Sequence, residues 1–113
     1  MKVFPYKDVE AKDAGEGTAK LTIRWLISKD AGADRFAMRL FEMKPSGHSP
    51  LHSHPWEHEL YILEGEGLAI GGAEERKVKL GDAVFIPPNE KHQFKNNGKR
   101  RLRFLCLIPY LEK

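Results

Sequence analysis

The chain has 113 residues, 41% hydrophobic and 31% charged, which is enough apolar material for one compact core and too much for a disordered chain. Nineteen Lys+Arg against 16 Asp+Glu leave a net charge of +3 with histidine neutral, and no stretch approaches the roughly 18 unbroken apolar residues of a membrane span. Cys106 is the only cysteine, so an internal disulfide is excluded and a reducing, cytoplasmic setting is expected.

At the N-terminus, Met1-Lys2-Val3-Phe4-Pro5-Tyr6-Lys7-Asp8 gains charge and proline too early for a secretory leader. A helical turn is expected only near Tyr6 to Ala11. Beyond it the apolar residues alternate. Leu21, Ile23, Trp25 and Ile27 point one way; Phe36, Met38 and Leu40 oppose Ala37, Arg39 and Phe41. Tyr61 and Leu63 lie on a strand and are expected in the core, with Trp56 packing over the preceding hairpin turn. In the last run, Leu102, Phe104, Cys106 and Ile108 oppose Arg103, Leu105 and Leu107. Turn signals such as Gly15-Glu16-Gly17, Gly65-Glu66-Gly67, Pro87-Pro88-Asn89 and Asn96-Asn97-Gly98 separate these runs. Short, evenly spaced strands with glycine-rich turns predict an all-β sandwich or barrel. No repeat or linker divides it, so residues 1–113 form one domain. A sheet this small must dispose of its edges, and a homodimer in which an N-terminal strand crosses to the partner would do so.

Basic residues crowd the end of the chain at Lys95, Lys99, Arg100, Arg101 and Arg103. They lack aromatic interleaving and any helix-turn-helix or zinc-finger spacing. They therefore read as a solvated hairpin, and neither a nucleic acid nor a membrane is expected as partner.

Four of the five histidines fall within His48-Ser49-Pro50-Leu51-His52-Ser53-His54-Pro55-Trp56-Glu57-His58, and His92 follows the Pro87-Pro88-Asn89 turn. His52 and His54 leave the same face of an extended segment. A reversal at Pro55-Trp56 returns position 58 or 59 beside them. Donors from one hairpin plus one from a remote strand suit a metal ion, whereas packed imidazoles without one carry polar nitrogens that need partners. His54-Pro55-Trp56-Glu57-His58 also spells an inverted zinc-protease motif, but that chemistry needs a helix, and the proline and the flanking alternation exclude one.

These motifs resemble the cupin family of double-sheet jelly rolls. The first family motif reads Gly47, His52-Ser53-His54, position 58 or 59, then Gly65. The second reads Gly81, Pro87, Asn89, His92 and Asn96, with Asn89 in place of the usual glycine; asparagine tolerates a left-handed turn. The resemblance implies a single-domain cupin barrel with its core over about 35–109. In particular, the chain is similar to thermophile-type cupins that bind manganese through four histidines. It implies His52, His54, His58 and His92 as ligands. Counting back from Gly65 favours His58, and the usual residue type favours Glu59; His58 is preferred, with Glu59 as the alternative.

Four neutral imidazoles would leave the full 2+ charge on the metal, making a strong Lewis acid that welcomes an anionic substrate. Manganese is expected first and iron next; zinc, nickel and copper also accept imidazole. Phe94 shares the face of His92, and Phe104 and Cys106 share a face of the last strand, so all three are pocket candidates. Arg39 is either an outward charge or an anion clamp facing the metal. The resulting expectation is a metal-dependent oxidoreductase of dioxygenase type on a small organic substrate. The alternatives are a Lewis-acid isomerase or decarboxylase on a sugar or keto acid, and a non-catalytic small-molecule-binding module.

Overall fold

A computed structural model describes residues 1–110. Among them it forms β1 (Lys12–Asp13), β2 (Ala19–Ile27), β3 (Phe36–His48), β4 (His58–Glu64), β5 (Glu66–Gly71), β6 (Glu74–Lys79), β7 (Ala83–Ile86), β8 (His92–Lys95) and β9 (Leu102–Pro109). All the strand pairings are antiparallel. One arm runs β2-β3-β9-β4-β7, with β1 beside β2; the other, β6-β5-β8, joins it where His48 meets Lys95. The arms curl over one core, giving the expected all-β jelly-roll barrel.

Two rows of cross-strand neighbours face inward along the larger arm. The first runs Ile23–Phe41–Phe104–Ile62 and the second Trp25–Arg39–Cys106–Leu60. Such lateral pairs are the unit of sheet stabilisation, and Phe41 and Phe104 stack at 5.3 Å between ring centres. β9 follows the predicted pattern, with Leu102, Phe104 and Cys106 at most 3% exposed and the residues between them half-buried.

Two expectations are corrected. Tyr61 is 48% exposed and Leu63 only half-buried, so neither is a core residue. His58 faces inward on β4, and the two-residue repeat carries Leu60 and Ile62 in with it. Ile27 leaves the face of Leu21, Ile23 and Trp25 because the β2–β3 register shifts between Trp25 and Ile27.

The N-terminal helical turn is shorter than expected, a single 3-10 turn over Tyr6–Asp8. The Tyr6 ring lies under the Arg24 and Arg103 guanidiniums, 5.2 and 4.9 Å from its centre. Arg24 donates to the Val9 carbonyl at 2.6 Å, holding the segment against its own barrel. Glu42, its side chain 12% exposed, receives Arg24 at 3.3 Å, Arg103 at 3.1 Å and Arg101 at 3.5 Å. Arg101 and Arg103 are thus committed to ion pairs on the sheet, while Lys99 and Arg100 stay exposed.

The turn after β8 is organised by Asn96, 2% exposed. Its amide donates to the Met43 carbonyl at 3.0 Å and the Arg100 carbonyl at 2.8 Å, and its side-chain oxygen accepts from Gly98 N–H at 2.9 Å. Asn96→Ala strands these backbone groups and is expected to lower unfolding free energy by about 2–3 kcal/mol in urea titrations.

Candidate metal centre and cavity

One end of the barrel gathers the histidines through backbone pairing. His52 N–H donates to the His92 carbonyl at 3.2 Å and His92 N–H to the His52 carbonyl at 2.9 Å, which brings their rings to 4.8 Å. The His54 loop is tied by Asn89, whose N–H donates to the His54 carbonyl at 2.7 Å. Asn89 has φ 70°, the left-handed turn expected where the motif has glycine. Trp56 stacks on His54 at 4.2 Å, nearly parallel. The ring nitrogens of His52, His54 and His92 lie within 4.8 Å of one another. His58 enters from β4, its Nε2 2.7 Å from His54 Nε2. Glu59 is exposed and pairs with Phe85 and Leu107 on the outer side of the sheet, away from this cluster. His48 turns its Nδ1 to the Ser49 carbonyl and stands apart from the group.

The donor set suits a divalent cation. His54 Nδ1 donates to the Trp56 carbonyl and His92 Nδ1 to the Glu90 carbonyl, each at 2.9 Å, which leaves Nε2 as a lone pair. His58 Nε2–H then donates across the 2.7 Å contact to His54. To present Nε2 as a ligand, His58 must carry its proton on Nδ1 instead, where Cys106 Sγ lies at 3.0 Å as acceptor. Three of the rings are biased toward the neutral form. Burial, then the neighbouring histidines, lowers the pKa of His52. Burial also lowers that of His54, opposed by the Trp56 carbonyl. For His58, burial and then the Arg39 charge push it down to about 3. Burial raises the Cys106 thiol, with Arg39 opposing.

The cluster opens into a cavity of about 400 Å³ whose walls include Leu21, Ile23, Phe41, Leu60, Phe94 and Phe104, with Lys12 and Asp13 also on its lining. Arg39 points inward, not to solvent. Its Nη2 reaches Cys106 Sγ at 3.0 Å and His58 Nδ1 at 3.3 Å. Its guanidinium carbon lies 5.3 Å from the Trp25 ring centre and 5.0 Å from that of Phe41. Phe94, Phe104 and Cys106 are also on the lining of this cavity. Trp25 and Phe41 are wall residues that the sequence reading did not single out. Both stand on strands whose alternation was visible, but their place beside Arg39 depends on cross-strand register.

The family model for the cupin domain matches residues 39–108. The 1-methylthio-D-xylulose 5-phosphate methylsulfurylase of Rhodospirillum rubrum is 39% identical over 71 residues, 63% of this chain and 46% of that protein; the match spans less than half of that relative. The oxalate-binding protein of Thermotoga maritima is 33% identical over 99 residues, 84% of this chain and 80% of the relative. The polyketide cyclase RemF from Streptomyces resistomycificus superposes with a TM-score of 0.90 at 38% identity, over 96% of this chain and 79% of that one.

The lowered His58 pKa makes a prediction for the metal-free protein. The unfolded chain takes up this proton near 6.5 and the folded chain only near 3. Stability is therefore complete above about pH 6.5 and falls as pH drops toward 3, His58 contributing a slope of at most about 1.4 kcal/mol per pH unit. Urea midpoints across this range should flatten in His58→Gln.

Proposed function

The chain belongs to the cupin family, and from that premise we propose that it is a metal-dependent enzyme of Lewis-acid type acting on a small anionic organic molecule. The supporting observation is the meeting of neutral imidazoles at one end of an apolar cavity, with Glu59 turned away and the Arg39 charge turned in. His52, His54, His58 and His92 would hold the cation. Manganese is the proposed metal, with iron, zinc, nickel or copper as occupants the same donors accept. When bound, the metal supplies polarisation of a substrate oxygen with its full 2+ charge, since no carboxylate offsets it. The chain's own part is to bind and orient the substrate, to exclude water with its aromatic walls, and to balance substrate charge with Arg39.

The dioxygenase-type reading keeps the same ligands but requires oxygen as co-substrate. The uncompensated 2+ charge is the property that supports the Lewis-acid reading. An oxygen electrode separates the two: oxygen consumption that depends on the organic substrate would overturn the Lewis-acid assignment.

Elemental analysis tests the ligand set. Alanine at His52, His54, His58 or His92 is expected to weaken metal binding at least about tenfold, while Glu59→Ala keeps the wild-type metal content. A full complement in His58→Ala would remove His58 from the set. Chelation should abolish turnover, and added manganese should restore it.

A homodimer is also proposed. β7 ends its sheet arm, and Phe36, Tyr61 and Phe85 are 57%, 48% and 60% exposed. Sedimentation at micromolar concentration is expected to give twice the chain mass; a clean monomer would refute it.

A further inference from the structure

The geometry points to a substrate whose anionic group meets Arg39 beside the histidine cluster and whose flat, apolar body fills the rest of the cavity. This rests on the reading above that the histidine-lined cavity is the working site, and it names the kind of molecule that site takes.

Size and lining favour a ligand with a ring-sized body. The cavity measures about 400 Å³, within the range of roughly 300–1,000 Å³ for clefts that enclose drug-sized ligands. Lys12, Asp13, Thr18 and Ser49 add polar groups to the lining, but the rest of the wall away from the histidines and Arg39 is mainly aliphatic and aromatic, with Phe94 and Phe104 at 5.4 Å and Phe41 stacked on Phe104. A small anion without a body would leave the faces of Leu21, Ile23, Leu60, Phe94 and Phe104 uncovered. A ring-sized body buries the wall instead.

One edge of Arg39 faces the cavity with an unmet donor. Trp25 and Phe41 both lie within cation–π range of its guanidinium and fix its position from two sides. Nη2 is directed at His58 and Cys106. Nε, on the same side of the fork, is buried and has no hydrogen-bond acceptor among the described residues. Nε and Nη2 together form the side that takes a carboxylate through two parallel hydrogen bonds. A buried donor without an acceptor is uncommon and destabilising; an anionic oxygen supplies what it lacks. No carboxylate is among the cavity-lining side chains except Asp13, which is exposed, so the counter-charge must come with the ligand.

The test is calorimetric titration of the protein as purified with three probes: 2-naphthoate, which carries both features, acetate, which has only the anion, and 2-naphthalenemethanol, which has only the body. Naphthoate is expected to bind at least tenfold more tightly than either of the others. Arg39→Met should weaken naphthoate at least tenfold, and Arg39→Lys less, since it keeps the charge and loses the fork. Ile23→Trp, which narrows the cavity in the row beside that of Arg39, should weaken naphthoate more than acetate; this arm decides the matter if Arg39→Met does not fold. Acetate equal to naphthoate, or naphthoate indifferent to the loss of Arg39 in a folded variant, overturns the inference. Metal content measured on the same samples distinguishes the two readings. Protein that holds no metal but binds naphthoate through Arg39 refutes the metal reading alone, and metal-loaded protein that ignores naphthoate refutes this one.

Discussion

Imidazoles packed edge to face beside a guanidinium repel it and one another once they are protonated. The inner end of the barrel depends on that constraint. Burial and mutual repulsion keep His52, His54 and His58 neutral, and neutrality is also what a metal ligand requires. The same burial leaves Arg39 as the fixed positive charge of the cavity, steadied by the faces of Trp25 and Phe41. Charge in this site is therefore assigned by position: Arg39 on one wall, histidine donors at the end, Lys12 and Asp13 on β1, and mainly hydrocarbon between them.

Strands and the connections between them share the placing of these groups. His58, Arg39 and Cys106 come from three different strands, and each points inward because of its parity. His92 is set by the bridge to His52, and His54 by the left-handed turn at Asn89. The matched proteins carry names as different as a polyketide cyclase and an oxalate-binding protein. Such variety on one fold means that function follows from the particular residues of each site and not from the barrel itself.

Much of this was legible in the residues. Alternation identified the inward face of β9, including Phe104 and Cys106, and tied Phe94 to His92. The substitution of asparagine in the second motif foretold a left-handed turn, since few other residues adopt one without strain. What could not be read was set between strands. Tyr61 has the composition of a core residue, yet parity with His58 turns it outward; composition and phase conflicted, and phase governs on a strand. The register shift near Ile27 has no local signature in the chain. The direction of Arg39 follows from its lateral neighbours Trp25 and Cys106, which are 14 and 67 positions away in sequence. The packing of Tyr6 between two arginines depends on the same long-range register.

On the outer face, Glu42 binds three arginines, and one of them, Arg24, also grips the Val9 carbonyl just ahead of β1. β1 carries Lys12 and Asp13 to the cavity lining. A single carboxylate on the back of the sheet is thus the keystone of the entrance on its front. Neutralising it would leave mutually repelling cations in its place and slacken the chain that frames the opening, altering access without touching any group inside.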